Sequence, residues 1–78
     1  MNIKIGDEVL SRFGSSKIER ITLTAGPGVN SGDEVPTVGI ESLFAGKVVL
    51  DLENGHWIWS NQVLAINNVS IKRLREVA

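Results

Sequence analysis

The chain has 78 residues, 42% of them hydrophobic, no cysteine and a formal charge of −1. That length holds one domain near the lower limit of independent folding, where a unit of about 60 residues buries only roughly 60% of its unfolded surface. The composition excludes disulfides and thiolate metal sites, and no apolar run approaches the roughly 18 residues of a membrane helix.

Ile3 to Phe13 predicts a first strand: Ile3, Ile5, Val9 and Phe13 share one parity, with a bend or bulge at Gly6-Asp7. Gly14-Ser-Ser16 reads as a turn. Lys17 to Ala25 predicts a second strand, rich in β-branched residues. Ile21 and Leu23 share a face there, whereas Ile18 has the opposite parity, which predicts a bulge or an edge position. Residues 25–38 contain Gly26-Pro27-Gly28, Gly32 and Pro36 and read as a long loop, either functional or a mobile surface segment. A second reading places a short ribbon here, turning at Asn30-Ser-Gly32. The segment is not a phosphate-binding loop, because it lacks the lysine and no helix start follows. Val38 and Ile40 suggest a strand, and Glu41-Ser-Leu-Phe-Ala45 suits one helical turn before Gly46.

Residues 47–53 and 56–60 predict a hairpin around Asn54-Gly55, the pair favoured in a two-residue type I′ turn. A two-residue loop sets Glu53 opposite His56, Leu52 opposite Trp57, Asp51 opposite Ile58 and Leu50 opposite Trp59. Alternation then assigns Val48, Leu50, Leu52, Trp57 and Trp59 to the core face. Val49, Asp51, Glu53, His56 and Ile58 fall on the outer face. Ser60 to Val63 predicts a 3₁₀ turn and Leu64 to Ile66 a short last strand. Asn67-Asn68 breaks the pattern. Ser70 suits the cap of a short helix, Ile71 to Val77, with Ile71, Leu74 and Ala78 on one stripe.

Two stretches carry a family resemblance. Ile5-Gly-Asp-Glu-Val9 resembles the opening "G-D-x-V" strand of small SH3-like barrels, including KOW-type domains. Trp59-Ser-Asn-Gln-Val-Leu-Ala-Ile66 is similar to the "P-S-N-Y-V-x-x-I" exit of SH3 domains. The resemblance implies an all-β fold: a five-stranded SH3-like barrel over residues 1–67, with the tail or short amphipathic helix in 68–78. The chain has no tyrosine, and Gln62 stands where SH3 domains have a ligand-contacting one. Grooves for proline-rich peptides are built from aromatics, so that recognition is not implied. The type II dihydrofolate reductases are also SH3-like barrels, with an enzymatic site at an oligomer axis. Of their pore segment "V-Q-I-Y-P", only Ile58 is kept here.

Residues 1–70 carry five basic and eight acidic side chains, while the tail holds Lys72, Arg73 and Arg75 against Glu76. An acidic body is a poor match for a phosphate backbone, so nucleic acid is a minor alternative, with Lys72, Arg73 and Arg75 as its contacts. His56 reads as a weak surface ion pair with Glu53, since a base needs a substrate pocket and a zinc site three or four ligands. No catalytic, cofactor or metal residues are assigned. Trp57, near the hairpin tip, reads as an interface anchor. Val49 and Ile58 on the outer face, with Ile71 and Leu74 on the tail, complete the expected interaction surface. The N-terminus lacks a signal peptide's apolar stretch, so a cytoplasmic location is expected. The expectation is a non-catalytic protein-interaction module that forms a homo-oligomer or binds a protein partner.

Overall fold

The computed structural model describes residues 1–77. They form nine strands, two short helices and one 3₁₀ turn. In chain order these are β1 (Asn2–Lys4), β2 (Glu8–Ser11), β3 (Gly14–Thr24), β4 (Gly32–Val35), β5 (Thr37–Gly39), α1 (Ile40–Phe44), β6 (Val48–Leu52) and β7 (Trp57–Trp59). The 3₁₀ turn (Ser60–Gln62), β8 (Ala65–Ile66), β9 (Val69–Ser70) and α2 (Ile71–Val77) follow. No helix is long and apolar enough to cross a membrane among the described residues.

The sheets are antiparallel and open. Strand β3 is the spine: β6 pairs along one edge, and β2 and then β4 share the other. β8 and β9 extend the sheet beyond β2, while β1 and β5 form a separate ribbon. The register of β3 against β6 shifts between Ile18 and Arg20, so the expected bulge is present. It lets Ile18 and Ile21, of opposite parity, both be fully buried. Residues 25–38 are not one loop: β4 and β5 occupy much of the span, and Thr24 pairs with Gly32. The ribbon therefore turns through 25–31 and not at 30–32. The first turn also moves. Ser11 pairs with Gly14 around Arg12-Phe13, and Gly14, at φ +89°, takes the left-handed position. Ile5 is 46% exposed, because the chain bends at Gly6 and its parity is lost there.

The 48–59 hairpin differs most from expectation. Leu52 N–H donates to the His56 carbonyl at 2.8 Å, and Gly55 N–H to the Leu52 carbonyl at 3.1 Å. Gly55 sits at φ +89°, so the loop is Glu53-Asn54-Gly55: three residues ending in a left-handed glycine, the G1-bulge form. One extra loop residue slips the register by one. Val49 now faces Trp59, Leu50 faces Ile58 and Asp51 faces Trp57. The core face of β6 is unchanged, but β7 is inverted. Ile58 is 0% exposed, Trp57 is 46% exposed and Trp59 is half-buried. The loop is also tied to the first hairpin. Asn54 N–H donates to Ser16 Oγ at 3.1 Å, and Glu53 N–H to the Lys17 carbonyl at 3.0 Å. The type I′ turn belongs instead to Asn67-Asn68, both at positive φ, which join β8 to β9.

The core is entirely aliphatic. Ile3, Val9, Ile18, Ile21, Leu50, Leu52, Ile58 and Ile66 are each at most 1% exposed. Helix α2 forms over the expected range, with the Ser70 hydroxyl accepting the Arg73 N–H at 3.2 Å and Leu74 buried. The Ala78 end of its stripe lies outside the described residues. Asp7 is the buried acid. Its carboxylate accepts the Lys4 backbone N–H at 2.9 Å and Lys4 Nζ at 2.8 Å. Burial by itself raises its pKa. The Lys4 side chain and backbone, then the Asn67 amide and the Lys4 charge, outweigh that and hold it below its ordinary value.

Two outcomes follow for stability. Ile58→Ala costs about 2–5 kcal/mol in urea unfolding, and Trp57→Ala less than about 1.5 kcal/mol; the two-residue-turn register requires the reverse. The second concerns acid. The folded Asp7 carboxyl has the lower pKa, so the unfolded chain takes up the proton first as pH falls. Its contribution is complete above the ordinary Asp range near about 4 and is lost as pH falls through the folded value. Thermal melts of Asp7→Asn are therefore less stable than wild type at pH 7, and the gap narrows on acidification.

Candidate functional site: an aromatic face beside the 3₁₀ turn

The chain has two phenylalanines, two tryptophans and one histidine, and all five line two adjoining concavities. None of them is among the fully buried core residues. The larger hollow, about 420 Å³, runs from Pro27 and Gly28 past Phe44, Ala45 and Gly46 to Trp59 and Asn61. The smaller, about 380 Å³, is walled by Arg12, Phe13, His56, Trp57, Trp59 and Gln62. Trp59 belongs to both, so the two hollows form one face with its indole at the centre.

Local chemistry explains each wall. Phe13 rides on the Arg12-Phe13 turn, where its N–H donates to Ser11 Oγ at 3.1 Å. Asn54 Nδ2 donates to the Phe13 carbonyl at 3.3 Å, which brings this turn against the β6–β7 loop. The His56 ring then stacks on Phe13 with centroids 3.9 Å apart and planes 6° from parallel. Its expected ion pair with Glu53 does not form; Lys4–Asp7 and Arg20–Glu34 are the pairs among the described residues. Trp57 and Trp59, two apart on an edge strand, point the same way and meet edge to face at 5.1 Å and 74°.

The strand ends at Ser60. Its buried hydroxyl accepts the Val48 N–H at 3.0 Å and donates to the Val48 carbonyl at 2.6 Å, standing in for the next rung of backbone ladder. That frees the backbone to enter the 3₁₀ turn, and Gln62 Oε1 accepts the Trp59 N–H at 2.9 Å. The other wall is positioned by close packing. A Cβ at Gly46, which sits at φ +75°, would stand 2.7 Å from Pro27 Cγ. Thr24 Oγ1 donates to the Gly26 carbonyl at 3.2 Å and ties the loop back to β3. Phe44, ending α1, carries the Arg75 guanidinium 4.5 Å from its ring centroid, and Phe13 carries that of Arg12 at 4.8 Å.

Of the residues the sequence singled out for interaction, Trp57 lies on this face and is exposed. Ile58 is in the core, and Val49, 5% exposed, lies beside Trp59 across the ladder. Neither offers a free surface, because the register slip moved Ile58 inward. Leu74 is buried and Ile71 is half-buried against the core, since α2 docks on the sheet. Lys72, Arg73 and Arg75 are exposed, and Arg75 alone reaches the aromatic face. Sequence reasoning missed Arg12, Phe13 and Phe44. The available signal was Gly14, a residue type that takes the left-handed position ending a tight turn without a Cβ penalty.

The arrangement can stack flat groups and donate hydrogen bonds. The Ser60 hydroxyl is fully engaged by Val48, and His56 is held against Phe13. No cluster of three or more His, Cys, Asp or Glu occurs among the described residues. Compared with known proteins, the chain matches no family model, no curated protein and no solved structure.

The stacking assignment is measurable. A double-mutant cycle between Phe13→Ala and His56→Ala in urea unfolding gives a coupling of about 0.5–1.5 kcal/mol. The same cycle between Glu53→Ala and His56→Ala gives a coupling near zero.

Proposed function

We propose that this chain is a non-catalytic protein-interaction module, an SH3-like small β domain that uses the aromatic face to take a segment of a protein partner. One observation carries the reading: no phenylalanine, tryptophan or histidine is fully buried, and all five line two hollows that meet at Trp59, with Phe13 and Phe44 packing half-buried against the edge of the core. Burial of apolar area normally draws such side chains inward, and partly exposed tryptophan is a preferred anchor at interfaces. Trp57 is 46% exposed among the described residues. The SH3-like reading is supported by the hairpin β6–β7, the 3₁₀ turn that follows it and the return of β8 to pair with β2. Arg12, Gln62 and His56 offer polar anchor points on the rim.

The reading replaces the outer hairpin surface expected from sequence with this face. Its test is amide-resolved NMR of the labelled chain against peptides recovered by display selection. Shifts should concentrate at 12–13, 56–62 and 44–46. Trp57→Ala, which leaves the fold intact, should weaken binding at least about tenfold, as hot-spot tryptophans do. Shifts confined to another surface, or unchanged affinity in Trp57→Ala, would remove the proposal. Sedimentation velocity separates a second copy of the chain from a foreign partner: a dimer that Trp57→Ala dissolves makes the partner the chain itself.

A further inference from the structure

We infer that the partner segment joins the open edge of β7 as an added β-strand, held through its own main chain at Trp57. The inference rests on the proposed use of the aromatic face for a protein partner and adds the form in which that partner binds. β7 ends its sheet and pairs with β6 alone. Hydrogen-bonded and non-hydrogen-bonded pairs alternate along an antiparallel ladder. Leu52 N–H donates to the His56 carbonyl, and Val48 is bonded at Ser60, so the bonded pairs are 52 with 56, 50 with 58 and 48 with 60. Trp57 and Trp59 fall between these and direct their backbone N–H groups away from β6, toward the open edge. The two differ. The Trp59 N–H is taken by Gln62 Oε1 at 2.9 Å, a side-chain carbonyl where a neighbouring strand would place its own. No such hydrogen bond engages the Trp57 N–H or C=O among the described residues.

The smaller hollow lies along this edge. Side chains alternate across the sheet, so Trp57 and Trp59 lie on one face of the strand and His56 and the buried Ile58 on the other. The hollow is lined by both indoles, and also by His56 and the Phe13 ring stacked on it. A concavity walled from both faces of a strand opens at the strand's edge, in the plane of the sheet. Gln62, which caps Trp59 at that edge, lines it too. A segment seated there continues the sheet.

The other open edges of the same sheet are defended. β4 carries Asp33 and Glu34 and is followed by Pro36, and β9 has two residues. Charge, proline and brevity are the usual guards against strand addition. β7 has neither charge nor proline, and the Gln62 carboxamide covers one of its two outward N–H groups. An extended peptide fits this edge better than a polyproline segment. The Trp57 C=O calls for a donor, which proline lacks, and a polyproline helix makes no ladder.

The experiment selects a displayed random dodecapeptide library on the full chain. The recovered peptides are remade with one backbone nitrogen methylated at a time and measured by fluorescence polarisation. Methylation at the residue paired with Trp57 should weaken binding at least about tenfold, and at the residue on either side, whose N–H points away from β7, less than about threefold. Saturating peptide should slow hydrogen exchange of the Trp57 amide at least about tenfold. Methylation effects without that alternation, unchanged exchange at Trp57, or recovered peptides dominated by proline would overturn the added strand. Where Trp57→Ala still weakens those peptides, the interaction face stands. Peptides that bind Trp57→Ala as tightly as wild type, or no recovered peptide, would overturn both. A dimer in sedimentation velocity whose Trp57 amide is protected without peptide would make the occupant a second copy and overturn the foreign strand.

Discussion

Much of this molecule depends on one backbone dihedral. Gly55 takes a left-handed conformation that glycine adopts without the Cβ penalty other residues meet. That makes the loop between β6 and β7 three residues long and sets which face of β7 meets the core. Had the loop been two residues, both indoles would turn inward and Ile58 outward. The observed loop is held from outside the hairpin, by Ser16 and Lys17 accepting from Asn54 and Glu53. The register of one hairpin is thereby tied to the neighbouring one.

The sorting of side chains follows from that register. A chain of this length has a small interior, and branched aliphatics fill it at crystal-like density without a partner for an N–H or O–H. Isoleucine, leucine and valine take those positions. The indoles stay out of the interior, Trp57 exposed and Trp59 half-buried. The bulge at Glu19 serves the same end in β3, since it turns two isoleucines of opposite parity to one interior. Size and hydrogen bonding thus keep the two indoles out of the aliphatic core, while Phe13 and Phe44 pack half-buried against its edge.

The face is assembled from pieces distant in sequence, each placed by a local device. A turn presents Phe13, a helix end presents Phe44, and an edge strand presents Trp57 and Trp59. The Ser60 hydroxyl lets the backbone leave the ladder with Val48 still satisfied, so the strand gives way to a 3₁₀ turn at the indole. Pro27 packs over Gly46 and closes the far wall. Trp59 joins the halves because it lies where strand, turn and loop meet.

Much of the local structure was legible in the residues. The bend at Gly6-Asp7, the bulge near Ile18, the helical turn before Gly46, the 3₁₀ turn at 60–62 and the capped helix from Ile71 all follow from turn chemistry and apolar spacing. So does the burial of Val48, Leu50 and Leu52 along β6, although Val49 between them is buried as well. Those are short-range properties, set by neighbours within a few positions. What only the tertiary structure decided was loop length at Asn54-Gly55 and the parity of everything after it. Asn-Gly suits a two-residue turn and the end of a three-residue one alike. The choice was made by hydrogen bonds to Phe13, Ser16 and Lys17, and by a core that accepts Ile58 more readily than two indoles. Trp57, singled out because it lies near the hairpin tip, is exposed, but on the opposite face from the one its alternation predicted.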